Sequence, residues 1–150
     1  MVRVAIFGNQ RWTIFGLVLL LMLGCGRKGS FEKTSDERHI LKMLAIYREY
    51  QTTHGNNPPA NTEELKAWAK TLKPEKLTAL SVDDLDSAFI SPRDNQPYGI
   101  APVGTQRMGM SEIVVYETAG VGGKRMTVGS TGSVRELKED EVKRIVPNAP

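Results

Sequence analysis

The sequence predicts an α+β domain, with a long N-terminal helix and a second helix packed on a small antiparallel sheet, closed by a short C-terminal helix. Three observations carry this. Apolar residues recur at three- and four-residue spacing from Ile40 to Tyr50. A second amphipathic stretch opens at Asn61 behind a Pro58-Pro59 break. The run Glu112-Ile113-Val114-Val115-Tyr116-Glu117-Thr118 is dense in β-branched and aromatic residues, and glycine-bearing turns follow it. Helices first and strands afterwards, rather than alternation, is the α+β order.

The chain begins with a different kind of segment. Arg3 and Arg11 precede an apolar run over residues 13–23, which ends at the small Gly24 and is followed by Cys25. A basic start, a short apolar run and a small residue at the cut is the pattern of an export signal. The run is short of the roughly 20 apolar residues that span a bilayer. Residues 1–24 are therefore expected to leave as a signal peptide, with cleavage between Gly24 and Cys25. The remaining 126 residues carry 18 basic and 17 acidic side chains, a net charge of +1. So even a balance does not supply the gathered positive charge of nucleic-acid binders. Cys25 is the only cysteine, so no internal disulfide forms and packing holds the fold. Residues 25–34 are glycine-bearing and charged, and read as a flexible tether.

Ser35 is the expected cap of the first helix, with Asp36 and Glu37 in its first turn, where the helix dipole favours acids. Ile40, Met43, Leu44, Tyr47, Tyr50 and His54 form its buried stripe, with Arg38, Lys42 and Glu49 opposite. Gly55 stops it. Asn61 caps the second helix, with Glu64 placed for a capping box. Leu65, Trp68, Ala69 and Leu72 face inward, Lys66, Lys70 and Lys73 face water, and Pro74 marks the end. Residues 77–86 read as a solvated turn with Leu80, Val82 and Leu85 tucked inward. Asp83, Asp84 and Asp86 crowd there but lack the glycine and distant Glu of an EF-hand loop. His39 and His54 stand apart from other metal-ligating residues, so no metal is expected at either.

Tyr98, Ile100 and Val103 begin the strand material after the turn-rich residues 91–97. In the strand over residues 112–118, Ile113 and Val115 are expected on one face and Val114 and Tyr116 on the other, as in a central strand covered on both sides. Gly120 to Gly123, then the 130–133 turn, separate two further strands in a hairpin meander. Gly122-Gly123-Lys124 fails as a phosphate loop, because Thr118 and Arg125 stand where a glycine and a Ser or Thr are needed. Residues 139–146 form the terminal helix through Val142, Ile145 and Val146, and 147–150 are a tail.

Two resemblances add to this. Met22-Leu23-Gly24-Cys25 resembles the lipobox of bacterial lipoproteins, with Met22 where Leu is usual. The resemblance implies acylation of Cys25 and a lipid partner in the cell membrane or outer membrane. Gly26, rather than Asp, after the Cys favours the outer one. The head resembles type IV pilins and type II secretion pseudopilins. Tyr50, Gly55, Pro58, Glu64-Leu65 and Pro97-Tyr98 carry that likeness, with Ser91 in place of the family's Asp and only Gly132 kept in the closing turn. The chain lacks the pilins' processed N-terminal helix and the pseudopilins' calcium acids. The likeness thus implies a pilin-like head that does not polymerise as pilins do.

The expected function is that of a membrane-anchored envelope lipoprotein whose noncatalytic head binds another envelope protein or takes a structural part. It has no cofactor and no catalytic residue. Asp94 and Glu117 read as ordinary surface acids, and no nucleophile with its base is apparent. The alternatives are a small periplasmic enzyme or ligand-binding lipoprotein, and an accessory component of a secretion or pilus apparatus.

Overall fold

The first helix is set by Thr34, not Ser35. In the computed structural model, the Thr34 hydroxyl accepts from the Glu37 N–H at 3.2 Å and the Glu37 carboxylate accepts from the Thr34 N–H at 2.8 Å. A reciprocal box needs an acceptor side chain three residues on. Thr34 finds Glu37 there, whereas Ser35 would find Arg38, which only donates. The structure describes residues 33–102, 104, 107–108, 111–147 and 149–150. The signal peptide (1–24), the Gly24–Cys25 junction, most of the tether and Val103 lie outside these.

The elements run α1 (Ser35–Thr53), α2 (Thr62–Ala69), α3 (Pro74–Ala79), α4 (Leu85–Ala88), β1 (Tyr98–Ile100), β2 (Arg107–Met108), β3 (Ser111–Glu117), β4 (Lys124–Gly129), β5 (Val134–Lys138) and α5 (Glu139–Ile145). Helices and an antiparallel sheet follow one another as the α+β reading expects. Among the described residues, no helix is long and apolar enough to cross a membrane.

α1 buries Ile40, Met43, Leu44, Ile46, Tyr47 and Tyr50. Ile46 joins the stripe and His54, placed in it from the sequence, is exposed. The stripe is broad because α1 touches α2 and α4 as well as β3 and β4. Gly55 at φ 64° ends the helix in the left-handed region.

α2 begins at Asn61, whose side chain accepts from the Glu64 N–H at 2.8 Å. The box is not reciprocal, since Glu64 reaches past Asn61 to the Ala60 N–H at 2.7 Å. Leu65 and Ala69 are buried, while Trp68 and Leu72 are half-buried. Lys66 does not simply face water. Its ammonium pairs with Asp86 at 2.8 Å and lies 5.7 Å from the Phe89 ring centre. α2 stops at Ala69, and Pro74 opens α3 rather than closing α2. The missing N–H of proline costs nothing in a first turn, where that donor has no helical partner.

The expected solvated turn at 77–86 is instead filled by the last turn of α3 and the start of α4. Ser81, at φ 59°, closes α3, with the Val82 N–H returning to the Leu77 carbonyl at 2.9 Å. Val82 is buried and Leu80 and Leu85 half-buried, as expected of that stretch.

The sheet is antiparallel, in the order β1-β3-β4-β5, with β2 also paired to β3. β3 and β4 are joined by Val121-Gly122-Gly123-Lys124, whose outer residues exchange hydrogen bonds at 2.9 and 3.1 Å. Gly122 and Gly123 have φ of 60° and 73°. Positive φ at both central positions is the primed turn that matches the twist of a hairpin.

The apolar faces of β3 differ from strict alternation. Between Ile113 and Val115 the register shifts, so two steps on β3 match one step on β4, from Gly129 to Val128. Such a bulge leaves Val114 as the extra residue. Val114 and Val115 consequently both join the core cluster with α1, while Ile113 and Tyr116 join a second cluster with Leu137, Val142, Ile145 and Val146. The strand is central and covered on both sides, but its residue pairs are not those of strict alternation. Ala149 packs on the second cluster.

Candidate functional site

The residues expected to carry function, Gly24 and Cys25, lie outside the described residues. Within them, the most developed polar cluster centres on Glu117, and here the sequence reading is overturned. Glu117 is 0% exposed. It stands two residues after Val115, so once the bulge has re-phased β3 it points to the same core. A period-two reading anchored on Val115 would have turned it inward.

Each carboxylate oxygen of Glu117 takes a donor from a different segment. The Ser91 hydroxyl donates to Oε1 at 2.7 Å and the Met126 N–H donates to Oε2 at 2.7 Å. Arg93 Nη1 stands 3.4 Å from Oε2, held by charge rather than by a well-aligned hydrogen bond. Arg93 Nη2 donates to Glu136 at 2.6 Å, and Lys124 approaches the other Glu136 oxygen at 3.6 Å. Negative and positive groups thus alternate from the buried Glu117 through Arg93 and Glu136 to Lys124. The Arg93 hydrogen bond holds the Glu136 carboxyl below its ordinary range. Tyr98 borders the cluster, and burial pushes its phenol well above the usual value against the opposing influence of the Ser91 hydroxyl.

Asp94, the other acid read as ordinary, is half-buried and tied to the backbone. It accepts from the Gln96 N–H at 3.0 Å and from the Gly120 N–H. Gly120 is required there. At φ 80°, a side chain would run into the Lys124 carbonyl. The loop over 91–97 is therefore fastened to β3, β5 and the β3–β4 connection by Ser91, Arg93 and Asp94. Chemically, the cluster is a fastening. The Ser91 proton is given to Glu117, and both Glu117 oxygens are occupied.

A second cluster sits where α1 meets α2. The Tyr50 and His54 rings stack at 3.9 Å, and Trp68 meets Tyr50 edge-on at 5.2 Å. The Tyr50 hydroxyl donates to Glu64. That bond raises the Tyr50 phenol and, with the Ala60 N–H, holds the Glu64 carboxyl below its ordinary range. His54 Nδ1 lies 2.8 Å from the Tyr50 carbonyl at the end of α1. His39 Nε2 lies 3.0 Å from the Ser87 carbonyl. Asp83 and Asp86 pair with Lys42 and Lys66, and Asp84 caps α4. Among the described residues, no three His, Cys, Asp or Glu side chains converge as a metal set.

Two of the surface grooves among the described residues are lined by several charged side chains. One, of about 520 Å³, lies between the Gly122–Gly123 turn and α5 and includes Lys124, Lys138, Glu139, Asp140 and Lys143. The other, of about 370 Å³, lies at the start of α1, between Lys33, Arg38, Leu41 and Lys42 on one side and Leu80 and Ser81 on the other. No family profile, curated protein or solved structure matches the chain.

Proposed function

We propose that the chain is an envelope lipoprotein, cleaved after Gly24 and held in the membrane by lipid on Cys25, whose noncatalytic pilin-like head binds another envelope protein or serves as a structural part. The observation that carries the reading is the Met22-Leu23-Gly24-Cys25 segment at the end of a short apolar run behind Arg3 and Arg11. Several acyl chains on one residue anchor firmly where a single chain holds only marginally. The pilin-like description is supported by α1 lying against β3 and β4 of an antiparallel sheet. The noncatalytic description is supported by the use of Ser91 and Glu117, which are bound to each other and to the main chain.

The test is the intact mass of membrane-extracted protein, wild type against Cys25→Ser. The expected wild-type mass begins at Cys25 and includes acyl chains, and the variant lacks them. An unmodified, uncleaved mass in both overturns the anchor. A turnover activity abolished by one substitution that leaves the fold intact would overturn the noncatalytic head.

A further inference from the structure

We infer that the buried guanidinium of Arg125 is the receptor of a carboxylate-binding site, covered by Ala149 and Pro150 and reached by a monocarboxylate, free or at the end of a peptide, when they lift. The inference goes beyond the lipoprotein reading and uses no residue of the anchor.

The sheet places this side chain on the face away from α1. Met126 and Val128 of β4 join the cluster with α1, so Arg125 lies on the opposite face, paired across the strands with Leu137. Its stem crosses Gly120, where a Cβ would lie 2.7 Å from Arg125 Cγ. Arg125 is 3% exposed. Nη2 donates to Glu139 at 3.3 Å and to the Pro150 carbonyl oxygen at 2.6 Å. Nε and Nη1 are buried and have no hydrogen-bond partner. Unmade hydrogen bonds of a buried charged group are costly. Both edges of the guanidinium fork include Nη2, which pairs with Nε on one side and with Nη1 at the end. A single carbonyl oxygen on Nη2 therefore leaves the rest of either edge unused. A carboxylate in its place would set a second oxygen on Nε or Nη1, the bidentate geometry that the fork matches.

Charge favours the same ligand. Among the described residues, Glu139 is the acid paired with Arg125, and the same Glu139 oxygen is held closer by Lys143, at 2.8 Å. Lys143 is also the first cause that holds the Glu139 carboxyl below its ordinary range. Arg93, by contrast, has two carboxylates, Glu117 at 3.4 Å and Glu136 at 2.6 Å. A buried guanidinium that shares its carboxylate with a lysine is under-compensated. One further negative charge makes the group of Arg125, Glu139 and Lys143 neutral, whereas a dianion overshoots.

The cover is slight. The Ala149 N–H donates to the Val146 carbonyl at 2.9 Å, and Ala149 is a half-buried neighbour of the second cluster. Pro150 is exposed apart from its bond to Arg125. Asn148 lies outside the described residues and brings no charge to the site.

The experiment follows the Arg125 Nε–Hε resonance of the full chain by NMR, identified by its loss in Arg125→Lys, as sodium acetate replaces sodium chloride at constant ionic strength and pH. Acetate is expected to move the resonance saturably, and chloride and sulfate are not. Ala149→Gly removes the methyl group packed on the second cluster and should tighten the acetate response by up to about fourfold, because the fork is open in a larger fraction of molecules. Misfolding cannot imitate that gain. Trialanine and its C-terminal amide separate the two sources of the carboxylate. A response to trialanine tighter than that to acetate, and absent with the amide, places the ligand at a peptide terminus; one no tighter than acetate makes it a small free acid. No saturation with either carboxylate, equal movement by chloride or sulfate, or a response that Ala149→Gly fails to tighten overturns the inference.

Discussion

The ring of Tyr116 stands where a side chain at Gly99 would have to be. The two are cross-strand partners on β3 and β1, and a Cβ built on Gly99 would lie 2.7 Å from the Tyr116 hydroxyl oxygen, nearer still to the ring carbon bearing it. Gly99 is absent from the glycines with positive φ, so it is needed for space rather than for backbone freedom. Glycine in a strand commonly marks such a close approach.

Gly99→Ala is therefore expected to cost about 1–3 kcal/mol, the range for overpacking a filled core. Tyr116→Leu should recover part of that loss when combined with it, although alone it is destabilising. Urea unfolding of the two single variants and the double variant checks the coupling. Additive losses would mean the ring and the glycine do not meet.

Glu117 makes a second prediction. Glu117→Leu strips acceptors from Ser91 and Met126 and leaves Arg93 without its buried counter-charge, a loss expected at about 3 kcal/mol or more. Glu117→Gln keeps one acceptor and should cost about 1–2 kcal/mol. Denaturant midpoints would show the order, and equal effects would remove the charge from the explanation.

The Tyr50–Glu64 bond should appear as acid sensitivity. Glu64 is held below its ordinary range in the folded protein, with the Tyr50 hydroxyl as the first cause. Its contribution is thus present above about pH 4.3, the unfolded value, and is lost as pH falls through the lower folded value. Tyr50→Phe should lower the melting temperature most near neutral pH, with the gap closing in acid. A gap that stays constant down to the acid limit would show that the bond does not set the Glu64 titration.

Tyr98 should act at the other end of the scale. Burial raises its phenol, so the stability linked to it is complete below about pH 10 and is lost as pH rises towards the higher folded value. Tyr98→Phe should flatten the alkaline decline in thermal unfolding. An unchanged decline would assign it to other groups.

Much of the fold was legible because it rests on local rules. The α1 stripe, the cap at Asn61, the β3 composition and the two glycine turns each announce an element within a few residues. The misreadings arise where a neighbour decides. Whether Thr34 or Ser35 caps α1 depends on which of Glu37 and Arg38 can accept a hydrogen bond. Pro74 ends or begins a helix according to what precedes it. The bulge at Val114 is visible only against the register of β4, whereas Glu117 is buried because it follows Val115 by two residues on the same face. The fastening of Ser91, Arg93 and Glu136 around it joins residues distant in sequence, and no local pattern marks that meeting. Gly24 and Cys25 are read from the chain alone.

The strand at the end of the sheet has a consequence for crowding. β5 presents Arg135, Glu136 and Lys138 in a five-residue strand at the end of the pairing order. An edge so charged discourages another copy from extending the sheet. If two β5 strands were laid antiparallel about their middle residue, Glu136 would face Glu136, a like-charge pair that disfavours the match. Where copies meet often, such an edge keeps neighbours from zipping into fibrils and leaves collisions reversible.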